Sequence, residues 1–285
     1  MATGDADPPS SLDQRRMTVY FVRHAEAAHN IKEREAVQAA IAKGQKRKSQ
    51  HDIARKKVLR SLSLWDAPLS AEGTLQARES SETLAALTSH KDSKYRPPTL
   101  VLVSPLRRAL MTATECFLDV QPSPKFFAIE ALREKRTGLA CDEKSSIDSL
   151  RAEFPHVDFS DLEKGIPSVP IGEDNPMVKE RARTFLEERF ALVQDEFVAI
   201  VSHKGWLREL RHTLKEWVDE GKLVADFDLE EWHQTLYGNA EVRVAECIWR
   251  DRVLQHLISR SLDNAILSLK ISEGEYDDDS EDDKS

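Results

Sequence analysis

The sequence has few cysteines, no long apolar run and no excess of positive charge. Its three cysteines are odd in number and widely spaced, which argues against a disulfide framework and against a Cys/His zinc site. No stretch approaches the roughly 18 apolar residues of a membrane span, and the polar N-terminus lacks the apolar core of a signal peptide. We therefore expect a cytoplasmic protein with no membrane partner, no metal and no cofactor.

The charge balance excludes a general affinity for nucleic acid. The 285 residues carry a formal net charge of −9, whereas phosphate backbones select proteins with a basic face. Residues 31–60 are the exception, since ten Lys or Arg residues and three Asp or Glu residues give that segment a net charge of +7. This basic helical insertion is either a cap that attracts anionic substrates or a solvated surface. The basic run Lys46-Arg47-Lys48 leaves a nuclear location open as well.

Three apolar, β-branched runs predict buried strands, at residues 18–22, 99–103 and 197–201. Residues 125–129 and 241–247 are weaker candidates. Helical patterns separate these runs, so we predict an α/β three-layer sandwich with a mainly parallel central sheet flanked by helices. A single domain is expected over residues 17–270, with a flexible N-terminus at 1–16 and an acidic, disordered tail at 271–285.

Polar residues mark where several helices begin. Ser70 is predicted to open a helix that runs to Leu87. Ser104-Pro105 and Asn175-Pro176 are each predicted to supply an N-cap followed by proline at the first helical position.

Each strong strand is followed directly by residues suited to phosphate chemistry, and the carboxyl ends of parallel strands meet at one ligand-binding crevice. A neutral imidazole can attack phosphorus, and arginine forks bind phosphoryl oxygens in pairs. A carboxylic acid could protonate the leaving oxygen and later deprotonate water. Glu134 is best placed by sequence, although Glu130 is an alternative. The groups that follow the strands are Arg23-His24, Ser104 with Arg107 and Arg108, and Ser202-His203.

These residues resemble the conserved blocks of the histidine phosphatase superfamily, which has the phosphoglycerate-mutase-like fold. The resemblance covers about Met17 to Cys247 and extends to the eukaryotic cytosolic branch; alanine replaces the commoner glycine at Ala25. The blocks, in the family's order, are Arg23-His24-Ala25-Glu26 with Asn30, Pro68 to Gly73, Ser104 to Ala109, Glu134 with Gly138, and Ser202 to Gly205.

The resemblance implies a role for each residue of the site. His24 would be the phosphorylated nucleophile, His203 a second pocket histidine and Glu134 the acid and base. Arg23 and Arg108 would bind phosphate, with Asn30 at the edge of the pocket. Arg107 is expected at a surface or at the rim of the substrate site, and His29, His212 and His233, which lie in no motif, are expected to be surface or helix residues.

Three functions follow from these predictions. The first is a metal-independent phosphatase that acts on a small phosphorylated substrate. The second is a phosphomutase, although residues 135–142 do not match the extended block of the family's mutases. The third is a non-catalytic binding module, and the five intact site residues argue against it: Arg23, His24, Arg108, Glu134 and His203. A cysteine phosphatase built on Cys141 is excluded because Ile147 stands where that chemistry needs arginine. The sequence does not indicate the oligomeric state.

Overall fold

The computed structural model describes residues 14–163, 168–227 and 236–261. The strands are β1 (Gln14–Arg23), β2 (Leu100–Val103), β3 (Lys125–Ala128), β4 (Val157–Asp158), β5 (Phe197–Ser202), β6 (Val224–Ala225), β7 (Val242–Arg250) and β8 (Val253–Ser261). The helices are α1 (Ala28–Ala42), α2 (Lys48–Leu59), α3 (Ala71–Ser89), α4 (Arg107–Phe117), α5 (Ile147–Glu153), α6 (Ser160–Glu163), α7 (Asn175–Thr184) and α8 (Lys204–Asp219).

One eight-stranded sheet runs through the molecule in the order β4-β3-β2-β5-β1-β7-β8-β6. The strands from β4 to β1 are parallel, whereas β7 is antiparallel to both of its neighbours, β1 and β8. The predicted α/β sandwich with a mainly parallel sheet is therefore confirmed, and the antiparallel strands extend one side of it.

Both faces of the sheet are covered by helices, which explains the uninterrupted apolar runs. Alternate residues of β1 point to opposite faces. Tyr20 and Val22 join a core that includes side chains of α3 and α4. Val19 and Phe21 join a second core that includes side chains of α7 and α8. The sheet is thus the middle layer of three.

Two of the three predicted N-caps are wrong. Ser70 does cap α3, since its hydroxyl accepts the N–H of Gly73 at 2.9 Å. The N-cap of α4 is Leu106, because the Ser104 hydroxyl lies against a histidine at the end of β5. The N-cap of α7 is Asp174, one residue before the predicted Asn175, and its carboxylate accepts the N–H of Met177 at 2.9 Å.

The basic segment folds as α1 and α2, which pack against each other as a hairpin. Arg55 on α2 pairs with Glu33 on α1 at 2.5 Å. Helix α1 begins at Ala28, only four residues after His24, so the hairpin starts beside the carboxyl end of β1.

The predicted N-terminal boundary of the domain falls within the described structure. Strand β1 begins at Gln14, three residues before the predicted start of the domain at residue 17, and residues 14–16 pair with β7. The predicted tail at 271–285 and the first thirteen residues lie outside the described residues. Within the three described ranges, no helix combines the length and the apolar character needed to cross a bilayer.

Candidate active site

Three strand ends meet at the carboxyl edge of the sheet. Pairing between β1 and β5 sets Arg23 opposite Ser202, and the N–H of His24 donates to the Ser202 carbonyl at 2.9 Å. The N–H of Ser104, which follows β2, donates to the carbonyl of Val201 at 3.0 Å. Strand register therefore places His24, Ser104 and His203 side by side.

His24 is buried and held in one tautomer. Its Nδ1 lies 2.7 Å from the carbonyl oxygen of Ala25. A carbonyl oxygen only accepts, so Nδ1 carries the proton and Nε2 keeps its lone pair. The N–H of Glu26, in the same peptide group as the Ala25 carbonyl, donates to Gln76 Oε1 at 3.0 Å, which fixes the peptide that orients the ring.

Burial and nearby positive charge keep His24 neutral. Burial lowers its pKa well below the ordinary value, and Arg108 and Arg23 lower that pKa further. An unprotonated imidazole with a free Nε2 is the form that can act as a nucleophile.

His203 lies against His24, with 5.0 Å between the ring centroids. Its Nε2 is 2.7 Å from the Ser104 hydroxyl, while its buried Nδ1 has no hydrogen-bond partner within the described ranges. Burial, followed by Arg108 and His24, lowers the pKa of His203 well below its ordinary value. The second histidine is thus also a neutral polar group.

Two arginines supply positive charge to the pocket. Arg108 is buried in the first turn of α4, and its guanidinium donates to the Cys141 carbonyl at 2.6 Å. Arg23 donates to the carbonyl of Tyr237 at 2.8 Å. The Nε–H groups of both arginines are buried without an acceptor among the residues that the structure describes. Buried donors of this kind are suited to an anion.

The side chain of Glu134 lies at the N-terminal end of α8. Its carboxylate accepts the N–H of Gly205 at 3.0 Å and the N–H of Lys135 at 2.9 Å. A Cβ at position 205 would lie 2.2 Å from Glu134 Oε1, so only glycine allows this approach. The negative charge of Glu134 also acts to raise the pKa of Arg23, although burial has the larger, lowering effect.

Glu130, the alternative acid, is buried in a separate ion-pair cluster. It pairs with Arg133 at 2.9 Å and with Lys144 at 3.1 Å. Burial alone would raise its pKa, but these two cations outweigh burial and lower that pKa. Arg133 also donates to the Asp142 carbonyl at 2.6 Å, so the cluster ties together the loop that carries Glu134.

Asn30 and His29 lie in the first turn of α1. Asn30 Oδ1 accepts the N–H of Ala27 at 3.0 Å, and its Nδ2 lies 3.1 Å from His29 Nε2. His29 is on a helix, as expected, but it is not a surface residue: it is buried, with its ring centroid 6.2 Å from that of His24. His212 lies in α8, and His233 lies outside the described residues.

Sequence reasoning missed His29 and also Asp142, whose carboxylate lies 3.6 Å from the Arg108 guanidinium. Burial raises the pKa of Asp142, and Arg108 offsets only part of that rise. Arg107, by contrast, forms an ion pair with Glu153 at 2.8 Å, away from the pocket.

Neither cysteine chemistry nor a metal centre is indicated at the site by the described residues. Cys141 is buried, and burial, with Asp142, raises the pKa of its thiol to about 12. Within the described ranges, no three His, Cys, Asp or Glu side chains are grouped so that they could hold a metal ion.

Comparison with known proteins shows the family of the chain. The profile of the histidine phosphatase superfamily (branch 1) matches residues 57–248, about two thirds of the chain. This chain belongs to the histidine phosphatase superfamily. The superfamily resemblance drawn from the motifs is confirmed, while the eukaryotic cytosolic branch stays a prediction. The matched range begins beyond His24, and most of the α1–α2 hairpin separates the two.

Individual relatives are distant. A phosphoglycerate mutase-like protein of Arabidopsis thaliana is 27% identical over 230 residues, which cover 69% of this chain and 74% of the relative. Among solved structures, mycobacterial hydrolase 1 has a TM-score of 0.48 at 19% identity, covering 87% of this chain and 97% of its own. The mycobacterial glucosyl-3-phosphoglycerate phosphatase has a TM-score of 0.46 at 18% identity, with the same two coverages.

Proposed function

We propose that this superfamily member is a metal-independent phosphatase that hydrolyses a small phosphomonoester through a phosphohistidine at His24. The observation that carries the proposal is the state of the His24 ring. Its Nδ1 proton is directed to the Ala25 carbonyl, and burial keeps the imidazole neutral, so Nε2 is available for attack.

In this proposal, Arg23, Arg108 and His203 bind the oxygens of the phosphoryl group. The buried Nε–H donors of the two arginines support this role. Transfer through a loose transition state spreads charge over the equatorial oxygens, and fixed guanidinium groups in a buried pocket stabilise that charge.

The reaction takes two displacements. His24 Nε2 forms a bond to phosphorus while the bond to the leaving oxygen breaks, and the protonated Glu134 carboxyl gives its proton to that oxygen. The Glu134 carboxylate then accepts a proton from water, whose oxygen attacks phosphorus and releases His24 and inorganic phosphate. The proximity of Glu134 to Arg23 and to the residues after His203 supports this assignment, and the two ion pairs of Glu130 argue against the alternative acid.

A mutase is the second candidate, since the Arabidopsis relative is named phosphoglycerate mutase-like. Both functions share the chemistry up to the phosphohistidine. They differ in the acceptor, which is water for the phosphatase and a second hydroxyl of the substrate for the mutase. Product analysis with phosphorylated glycerates and sugars separates them: free phosphate indicates the phosphatase, and a relocated phosphate indicates the mutase.

The first prediction concerns His24 and metal. The purified protein should hydrolyse an aryl phosphate such as p-nitrophenyl phosphate in the presence of a chelator. His24→Ala should reduce the rate to background, because the variant has no nucleophile. His156→Phe, which changes a half-buried histidine that contacts Phe126 on β3, is the matched control and should remain active. Chelator-sensitive turnover, or a fully active His24→Ala variant, would refute the mechanism.

A further inference from the structure

A third histidine, His29, lies in the pocket and has no part in the mechanism above. It occupies the first turn of α1 and is 7% exposed. Its ring centroid is 6.2 Å from that of His24, with 46° between the ring planes. His24 therefore has a buried histidine at 5.0 Å, His203, and another at 6.2 Å, His29.

The hydrogen bonds around Asn30 determine where the His29 proton resides. A backbone N–H can only donate, so the Asn30 atom that receives the Ala27 N–H is the carbonyl oxygen, Oδ1. The other Asn30 atom is then the NH₂ group, a donor, and it lies 3.1 Å from His29 Nε2. His29 Nε2 must accept this hydrogen bond, which leaves the proton on Nδ1.

This Nδ1–H group has no acceptor in the part of the chain that the structure describes, and it is buried. The Nδ1 of His203 is likewise buried without a partner there, and its Nε2 lies 2.7 Å from the Ser104 hydroxyl, which can either donate or accept. A buried N–H without an acceptor destabilises the fold unless a bound ligand accepts from it. The buried Nδ1–H of His29, together with the unpartnered Nε–H groups of Arg23 and Arg108, points to a ligand rich in acceptors.

The charges around His29 indicate which part of a ligand it faces. Burial, followed by Arg108 and Arg23, lowers the pKa of His29 to about 2. The two arginines assigned to the phosphoryl group thus lie close enough to act on His29 as well. His29 is neutral at physiological pH and offers a donor without a charge.

We propose that His29 is a further binding residue, which donates its Nδ1–H to a non-bridging oxygen of the phosphoryl group. This inference rests on the proposed function, since it assumes that the pocket receives a phosphorylated ligand. Asn30 is then a positioning residue, because it sets the His29 tautomer through its hydrogen bond to Nε2. The α1–α2 hairpin thereby contributes a side chain to the reaction from its first turn.

Three substitutions separate ligand binding by His29 from a purely structural contact with Asn30. Asparagine places an amide nitrogen at the same bond distance from Cβ as Nδ1, so His29→Asn retains the proposed donor but loses the contact with Asn30. Glutamine can place its side-chain carbonyl oxygen where Nε2 stands, so His29→Gln retains an acceptor for the Asn30 NH₂ group but loses the donor at Nδ1. His29→Phe loses both while keeping a ring in the space.

The test measures kcat and KM for p-nitrophenyl phosphate and, separately, the affinity for inorganic phosphate by calorimetry. His29→Phe and His29→Gln should lower kcat/KM roughly 10- to 100-fold, the usual effect of one hydrogen bond to a charged group, and should weaken phosphate binding. His29→Asn should retain most of both. His156→Phe should match the wild type, and circular dichroism checks that each variant is folded.

Two outcomes overturn the proposal: wild-type kinetics and phosphate affinity in His29→Phe, or rescue by His29→Gln and not by His29→Asn. The second result would mean that His29 only braces Asn30. Failure of the proposed phosphatase function looks different, because the wild type itself would then turn over no phosphomonoester. Phosphate calorimetry on the same variants still decides whether His29 binds the anion.

Discussion

At the residue scale, the two carboxylates Glu130 and Glu134 provide a matched pair. Glu134→Gln should lower kcat about 10²- to 10⁴-fold for alkyl phosphates, because their leaving oxygen needs a proton. The loss should be smaller for p-nitrophenyl phosphate, whose leaving group is stable as an anion. Steady-state kinetics on both substrates measure the difference.

Glu130→Gln should instead affect stability. It leaves Arg133 and Lys144 without their buried partner, and breaking a buried ion pair costs about 3 kcal/mol of unfolding free energy. Its kcat per folded molecule should stay near the wild-type value, as urea denaturation and kinetics on the same sample can show. A large kcat loss in Glu130→Gln with none in Glu134→Gln would reverse the two roles.

The sequence predicts the pocket residues that directly follow strands, but it does not predict the pocket residues that other segments supply. His24 and His203 directly follow recognisable apolar strands, so their convergence follows from parallel pairing. His29 and Asp142 follow no strand. His29 is brought in by the path of α1, and Asp142 by a loop tied through Arg133 and the Cys141 carbonyl. These tertiary contacts leave no local pattern in the sequence.

At the scale of elements, strands were easier to predict than helix starts. Burial on both faces of a central strand requires a continuous apolar run, which β1, β2 and β5 all have. Helix starts depend on competition for one hydroxyl or carboxylate, as at Ser104, which bonds to His203 instead of capping α4. Strand β8 was not predicted, and its pairing depends on β7.

The α1–α2 hairpin carries a prediction about substrate capture. Burial lowers the pKa of Lys204, and among nearby charges Arg23 and Arg55 lower it while Glu33 raises it. Charged groups of both hairpin helices, Glu33 on α1 and Arg55 on α2, therefore lie near the pocket. The ion pair between Arg55 and Glu33 holds the two helices of the hairpin together. Deletion of residues 36–56 should raise KM for anionic substrates at low ionic strength and leave kcat nearly unchanged. Added salt should reduce the difference. Equal KM values for several phosphorylated substrates would identify the hairpin as a solvated surface.

At the scale of the whole molecule, His24, His29 and His203 make stability depend on pH. Their folded pKa values are lowered, whereas an unfolded histidine titrates near about 6.5. As the pH falls, the unfolded chain therefore takes up protons before the folded protein does. The free energy of unfolding is highest above the unfolded pKa of about 6.5 and decreases as the pH falls below that value. At pH 5.5 the loss should be about 1 kcal/mol for each buried histidine.

Urea denaturation of the wild type at pH 7.5 and 5.5 measures this loss, with His29→Asn as the comparison. The variant lacks one of the three titrating groups, so its unfolding free energy should change less between the two pH values. Identical pH dependence in the two proteins would mean that His29 is not buried in its neutral form.

The most direct measurement of the mechanism is the chemical state of His24 during turnover. Wild-type protein is mixed with substrate, quenched in alkali, which preserves phosphohistidine, and digested for peptide mass spectrometry. A phosphoryl group should appear on His24, at Nε2, and should be absent from His24→Ala. Turnover with unmodified His24, or a phosphoryl group on another residue, would contradict the mechanism.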